Sequence, residues 1–146
     1  MIYIGIDPGQ KGAMGFIANN VVSVIPFDPY DYVFALKGFK ASDDECLCCI
    51  EAVHSISGQG IASSFKFGQT YGWLLGILDA IEIPYQPITP QKWKREFGLT
   101  SDKAKSVEVC KRLFHDVPLL RTERSRKEDD NMAEALLMAL YAKRHF

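Results

Sequence analysis

The chain has 146 residues, which suits one domain built around one sizeable core. Its 47% hydrophobic and 24% charged residues are ordinary for a globular protein, and no apolar run is long enough to span a bilayer. Net charge is only −1 but is unevenly spread: residues 1–90 carry 4 Lys and Arg against 9 Asp and Glu, residues 91–127 carry 11 against 5, and residues 128–146 carry 2 against 4.

A basic segment set between acidic ones suits a polyanion held beside a cluster of acids, although solvated helix faces have the same composition. The N-terminus lacks the basic start and cleavage site of a secretion signal, which predicts a cytoplasmic protein. Cys46, Cys48 and Cys49 share one apolar run, Cys110 stands alone, and no C-x-x-C pair occurs. That pattern favours small buried thiols in a reducing compartment over a zinc site.

In chain order, Ile2, Ile4 and Ile6 alternate with Tyr3 and Gly5 as a strand over 2–7. Asp7 ends it and Pro8-Gly9 turns the chain, so a carboxylate stands at the tip of a buried strand. An Asp there either caps the turn or binds a cation or a phosphate site. Residues 13–18 and 21–27 read as two further strands joined by an Asn19-Asn20 hairpin turn. Residues 28–45 are ambiguous, with a short helix around Tyr32–Phe39. Leu47–Ile50 is a strand ending at Glu51, which repeats the logic of Asp7. A loop follows over 52–62.

Tyr71, Leu74, Leu75, Leu78 and Ile81 recur at helical spacing and predict a helix over about 64–81, capped by Ser63 or Ser64. Gly68, Gly72 and Gly76 form a smooth strip on it. Each costs about 1 kcal/mol relative to alanine, so close packing against another element is expected there. Pro84–Ile88 is a strand, Gln91–Phe97 a short helix after Thr89-Pro90, and Gly98 its stop. Ser101 is expected to cap a helix over 102–115 whose Val107, Cys110, Leu113 and Phe114 face the core. The last helix is predicted over 128–144. Asp130 and Glu134 lie one turn apart on it and repel unless a cation stands between them. The order indicates an α/β domain, with a central mixed five-stranded sheet flanked by helices.

Four carboxylates therefore stand out: Asp7, Glu51, Asp130 and Glu134. Hard divalent cations take such oxygen ligands, and a pair of them about 4 Å apart suits phosphodiester hydrolysis. IGIDPG at Ile4–Gly9, IE-x-VH at Ile50–His54, GQG at Gly58–Gly60, KFGQ-x-YG at Lys66–Gly72, TPQKWK at Thr89–Lys94 and DD-x-x-AEALLMA at Asp129–Ala139 carry a resemblance. With these motifs the chain resembles the RuvC-type Holliday-junction resolvases of the ribonuclease-H-like superfamily, and most of all their phage and prophage branch. The likeness covers nearly the whole chain, residues 1–146 as a single nuclease domain.

The resemblance implies a metal-dependent, structure-selective endodeoxyribonuclease that cuts four-way or branched DNA as a homodimer in a bacterial host cell, leaving 5′-phosphate and 3′-hydroxyl ends. Asp7, Glu51, Asp130 and Glu134 would bind two Mg²⁺ or Mn²⁺ ions. Lys105 would join them in catalysis, and Lys94, Lys103, Lys105 and His54 would contact DNA. Two departures are visible: Glu134 stands where the family usually has Asp, and Asp129 competes with Asp130 as the third acid. Lys103 likewise competes with Lys105.

Three other functions compete: a broader branched-DNA or RNA–DNA hybrid nuclease, a catalytically silent junction-binding protein, and a sugar-kinase or actin-like nucleotide-binding domain. The last needs a second glycine-rich phosphate loop, which the sequence lacks, so no nucleotide cofactor is expected. Phe65, Phe67, Trp73 and Trp93 read as packing residues.

Overall fold

Alternating isoleucines start the architecture. β1 (Ile2–Asp7) buries Ile2, Ile4 and Ile6 on one face and turns Tyr3 to the other. The computed structural model describes residues 1–53, 58 and 60–146. The chain continues through β2 (Ala13–Ala18), β3 (Val21–Pro26), α1 (Pro29–Ala41), β4 (Cys46–Glu51) and α2 (Ile61–Ala80). It ends with β5 (Tyr85–Ile88), α3 (Pro90–Glu96), α4 (Lys103–Leu113) and α5 (Asp130–His145). Among the described residues, no helix is long and apolar enough to cross a membrane.

The strands form one mixed sheet in the order β3-β2-β1-β4-β5. β1–β2 and β2–β3 pair antiparallel; β1–β4 and β4–β5 pair parallel. Both faces are covered, as parallel strands require. On one face Ile2, Ile4, Ile6, Cys48 and Ile50 pack with Tyr32 and Leu36 of α1 and Leu74 and Leu78 of α2. On the other, Ala13 and Cys49 pack with Trp93, Cys110 and a nearly continuous run of α5, Met132–Met138. All four cysteines are free, and Cys48, Cys49 and Cys110 are buried.

α5 lies unusually close to the sheet. Gly5 and Gly15 pair across β1 and β2, and a Cβ at Gly5 would stand 2.2 Å from Ala135 O and 2.3 Å from Ala139 N. At Gly15 it would stand 2.7 Å from Leu136 N. The absence of both side chains lets the helix backbone rest on the strands, which brings its acidic first turns to the β1 tip.

Several local expectations are corrected. Residues 29–41 form a full helix because Asp28 caps it, its Oδ1 accepting from Tyr30 N at 2.9 Å and Asp31 N at 3.1 Å, with Pro29 in the first turn. α2 begins at Ile61 with Gly60 as its cap residue and no side-chain cap, so neither Ser63 nor Ser64 caps it. α4 is capped by Asp102, not Ser101, through Ala104 N at 3.1 Å. Among the described residues the packing expected for Gly68, Gly72 and Gly76 is not there: none of their atoms lies within 4 Å of a Cβ built on any of the three. Leu113 is 38% exposed and Phe65 is 72% exposed, so neither is a core residue.

Candidate active site

The register of β1 and β4 sets the site. Ile6 pairs with Ile50 in parallel, so the next residues, Asp7 and Glu51, leave adjacent strands side by side. Ile6 and Ile50 point to the α1–α2 face. By the alternation of a strand, Asp7 and Glu51 point to the α5 face. There α5 supplies Asp130 in its first turn and Glu134 one turn later. The position is the carboxyl end of the parallel strands, where open α/β sheets commonly bind ligands.

Each acid has partners. Glu51 Oε2 accepts from Trp93 Nε1 at 2.9 Å. Glu134, almost fully buried, accepts on Oε1 from Lys94 Nζ at 3.0 Å and from Ser106 Oγ at 2.9 Å. Lys103 Nζ lies 3.2 Å from Asp130 Oδ2. That contact pairs the charges, and Oδ2 is a buried oxygen with no hydrogen-bond partner among the described residues.

The electrostatics show carboxylates crowding one another. Burial first, then Glu51 and Glu134, push the Asp7 carboxyl well above its ordinary range, and Lys103 and Lys94 offset this only in part. Burial also raises Glu51, against the Trp93 hydrogen bond and Lys94. The Lys103 ammonium is raised, chiefly by its contact with Asp130. Burial and then the Asp7 charge raise the Tyr32 phenol, whose hydroxyl has no hydrogen-bond partner among the described residues.

The donor chemistry fits a hard divalent cation: oxygen donors only, a buried Asp130 oxygen without a hydrogen-bond partner among the described residues, and Asp7 and Glu51 raised by burial first and then by neighbouring acids. As the side chains stand, no three acidic, histidine or cysteine side chains among the described residues are close enough to hold a metal ion. Lys94 and Lys103 occupy the carboxylates instead, and would have to give way to a cation.

Asp7, Glu51 and Glu134 thus lie near enough to act on one another's charge, with Lys94 and Lys103 beside them, and Asp130 joins the group through Lys103. Asp129 is not with them: it caps α5 through Met132 N at 2.9 Å and pairs with Arg121. Lys105 is exposed on α4 and makes no ion pair among the described residues; it lies two residues from Lys103, which puts it on a different side of the helix. His54 and Gln59 lie outside the described residues. Sequence reasoning missed Ser106, Arg121 and the polar role of Trp93. Ser106 carried a faint signal, a small polar residue on the same helix stripe as Lys103 and Cys110.

No family model matches the chain, and no curated protein matches it by sequence. Solved structures do. RuvC of T. thermophilus in complex with a Holliday junction substrate superposes with a TM-score of 0.60 at 16% identity, over 99% of this chain and 97% of that one. Another T. thermophilus RuvC structure gives 0.58 at 17%, over 99% and 96%. The yeast mitochondrial Holliday junction resolvase Ydc2 gives 0.54 at 18%, over 93% and 75%. The chain therefore has the RuvC-type, ribonuclease-H-like fold.

Proposed function

We propose that this chain is a metal-dependent, structure-selective endodeoxyribonuclease acting on four-way and other branched DNA, working as a homodimer. What supports the reading is the grouping of Asp7, Glu51 and Glu134 with Lys94 and Lys103 at the carboxyl end of β1 and β4, with Asp130 paired to Lys103 beside them. The shared fold supports it, since one of the matched proteins was solved with a Holliday junction. The glycine face of α2, which nothing among the described residues covers, is compatible with a second copy.

In this reading the four acids hold Mg²⁺ or Mn²⁺. The bound ions would supply a nucleophilic water at neutral pH and stabilise the leaving oxygen. The chain's own residues do the rest. Asp7 and Glu51 are fixed by adjacent strands, so their spacing does not depend on loop motion. Trp93 orients Glu51, and Ser106 orients Glu134. Lys94 and Lys103, displaced from the acids, turn to phosphate oxygens of the strand being cut. The basic segment 91–127 adds phosphate contacts whose strength falls with salt. Hydrolysis leaves a 5′-phosphate and a 3′-hydroxyl, and two protomers give paired nicks.

The test is cleavage of a four-way junction, a flap, linear duplex and an RNA–DNA hybrid by purified protein with Mg²⁺ or Mn²⁺, beside an Asp7→Asn control and sedimentation of the protein alone. Paired nicks in the junction that vanish in D7N support the reading. Cutting of the hybrid alone assigns a hybrid nuclease. Junction binding without cutting under any divalent ion leaves only a binding protein.

A further inference from the structure

Arg121 sits in the basic stretch after α4, and its pairing with Asp129 is part of a larger set of contacts. Its guanidinium joins three parts of the molecule. Nη2 donates to the backbone carbonyl of Lys11 and, at 2.9 Å, to that of Gly12. Nε donates to Asp129 Oδ2. The other oxygen of Asp129 caps α5 on Met132 N at 2.9 Å, and Asn131 Nδ2 adds a bond to the same Lys11 carbonyl at 2.9 Å. Asp129 N also donates to Leu119 O at 2.7 Å, which closes the loop that carries Arg121.

The two ends of this clamp are next to the acids. Gly12 lies folded against the backbone of Asp7: a Cβ on it would meet the Asp7 carbonyl oxygen at 2.1 Å. Asp130 lies between Asp129 and Asn131, both of which are held. The planar fork of arginine meets a carboxylate and two carbonyls at once, which a lysine ammonium does not reproduce.

We infer that Arg121 is a positioning residue for the active site, fixing the first turn of α5 to the β1–β2 turn and so setting Asp130 against Asp7. The inference rests on the proposed divalent-ion site. It makes Arg121 act through Asp129 and the Lys11–Gly12 backbone and not by touching DNA or metal.

The experiment is Mn²⁺ titration by calorimetry on wild type, Arg121→Ala, Arg121→Lys and Asn131→Ala, with metal-free junction affinity and the kcat and KM of cleavage measured beside it. R121A should weaken Mn²⁺ binding about tenfold or more, as loss of outer-shell support to a metal site does. Turnover should fall while metal-free junction affinity stays near wild type. R121K should recover part of the loss, and N131A, which keeps the arginine, should lose less. An R121A protein with wild-type Mn²⁺ affinity overturns the inference. So does a loss confined to junction affinity and KM, which would make Arg121 a phosphate contact. If R121A does not fold, R121K and N131A decide, and unchanged Mn²⁺ affinity in both overturns the inference. Failure of the nuclease reading looks different: wild type then binds Mn²⁺ with Arg121-dependent affinity yet cuts no DNA.

Discussion

Gly5 and Gly15 face each other across the β1–β2 ladder, and the backbone of α5 lies directly on both. This pair sets the distance between the helix that carries Asp130 and Glu134 and the strand that carries Asp7. A methyl at Gly5 would have to displace backbone, not a flexible side chain. Gly5→Ala should therefore cost about 3 kcal/mol or more in urea unfolding, the upper end for overpacking. Gly68→Ala, on α2 with no described residue against it, should gain about 0.5–1 kcal/mol from helix propensity alone. Equal effects of the two substitutions would contradict the close approach of α5.

Asp7 makes the metal-free protein sensitive to pH. Its folded-state pKa lies well above its unfolded value, which is about 3.9. Between those two values the folded state binds more protons than the unfolded one, so stability falls as pH rises through the window. Asp7→Asn removes that contribution. In EDTA, D7N should have a higher Tm than wild type at neutral pH, with the difference shrinking as pH falls toward the unfolded value. Glu51 is raised in the same sense, so some slope should persist in the variant. Mn²⁺ should raise the Tm of wild type and much less that of D7N. Parallel Tm curves for the two proteins across pH 4–8, with and without Mn²⁺, would show that Asp7 carries no such burden.

The sheet was legible because its signals are local. Alternating isoleucines, the Asn19-Asn20 turn and the short apolar run before Glu51 each specify a strand without reference to anything distant. The α5 acids were legible as a pair four residues apart. What the sequence could not give were the pairings. Lys103 and Lys105 differ by two positions on one helix, and only the packing of α4 against α5 decides which of them reaches Asp130. Asp129 and Asp130 are adjacent, and only the cap geometry separates them. The glycine strip of α2 follows the same logic as Gly5 and Gly15 on paper, yet among the described residues the latter pair meets a neighbour and the strip does not.

Lys103 and Lys105 should separate experimentally. Lys103→Ala leaves the buried Asp130 Oδ2 without its paired cation and removes a candidate phosphate contact at the site. Turnover on a junction should fall about tenfold or more, within the range seen when groups around a metal site are lost. Lys105→Ala removes only an exposed charge, so affinity should weaken modestly and the slope of log affinity on log salt should drop by about one. Turnover at saturating DNA should barely change for K105A. The reverse ranking in turnover would move the active lysine to position 105.

Lys94 and Glu134 form the most buried of the ion pairs at the site, with side chains 23% and 6% exposed. Removing one member of a buried pair leaves the other charge uncompensated, which costs about 3–5 kcal/mol in fully buried cases. Lys94 keeps some water contact and Ser106 still donates to Glu134, so Lys94→Ala should cost on the order of 2 kcal/mol in metal-free urea unfolding. Saturating Mn²⁺ should restore part of that loss if a cation takes over the compensation of Glu134. A K94A deficit that is the same with and without Mn²⁺ would mean that Glu134 does not face the ion.

Trp93 tests whether a residue in the hydrophobic core also tunes the chemistry. Its ring is fully buried, and its Nε1 donates to Glu51 Oε2. Trp93→Phe keeps most of the packing and removes the donor. Loss of that bond should cost about 1 kcal/mol of stability. It also withdraws an interaction that favours the ionised carboxylate, so Glu51, already raised by burial, should rise further. A site that needs ionised Glu51 then becomes competent only at higher pH. The acid limb of the pH–cleavage profile of W93F should therefore shift to higher pH. Raising the Mn²⁺ concentration in the assay should pull the limb back, because the ion competes with the proton for the same oxygens. An acid limb that stays at the wild-type pH, in a folded W93F with lowered stability, would confine Trp93 to packing.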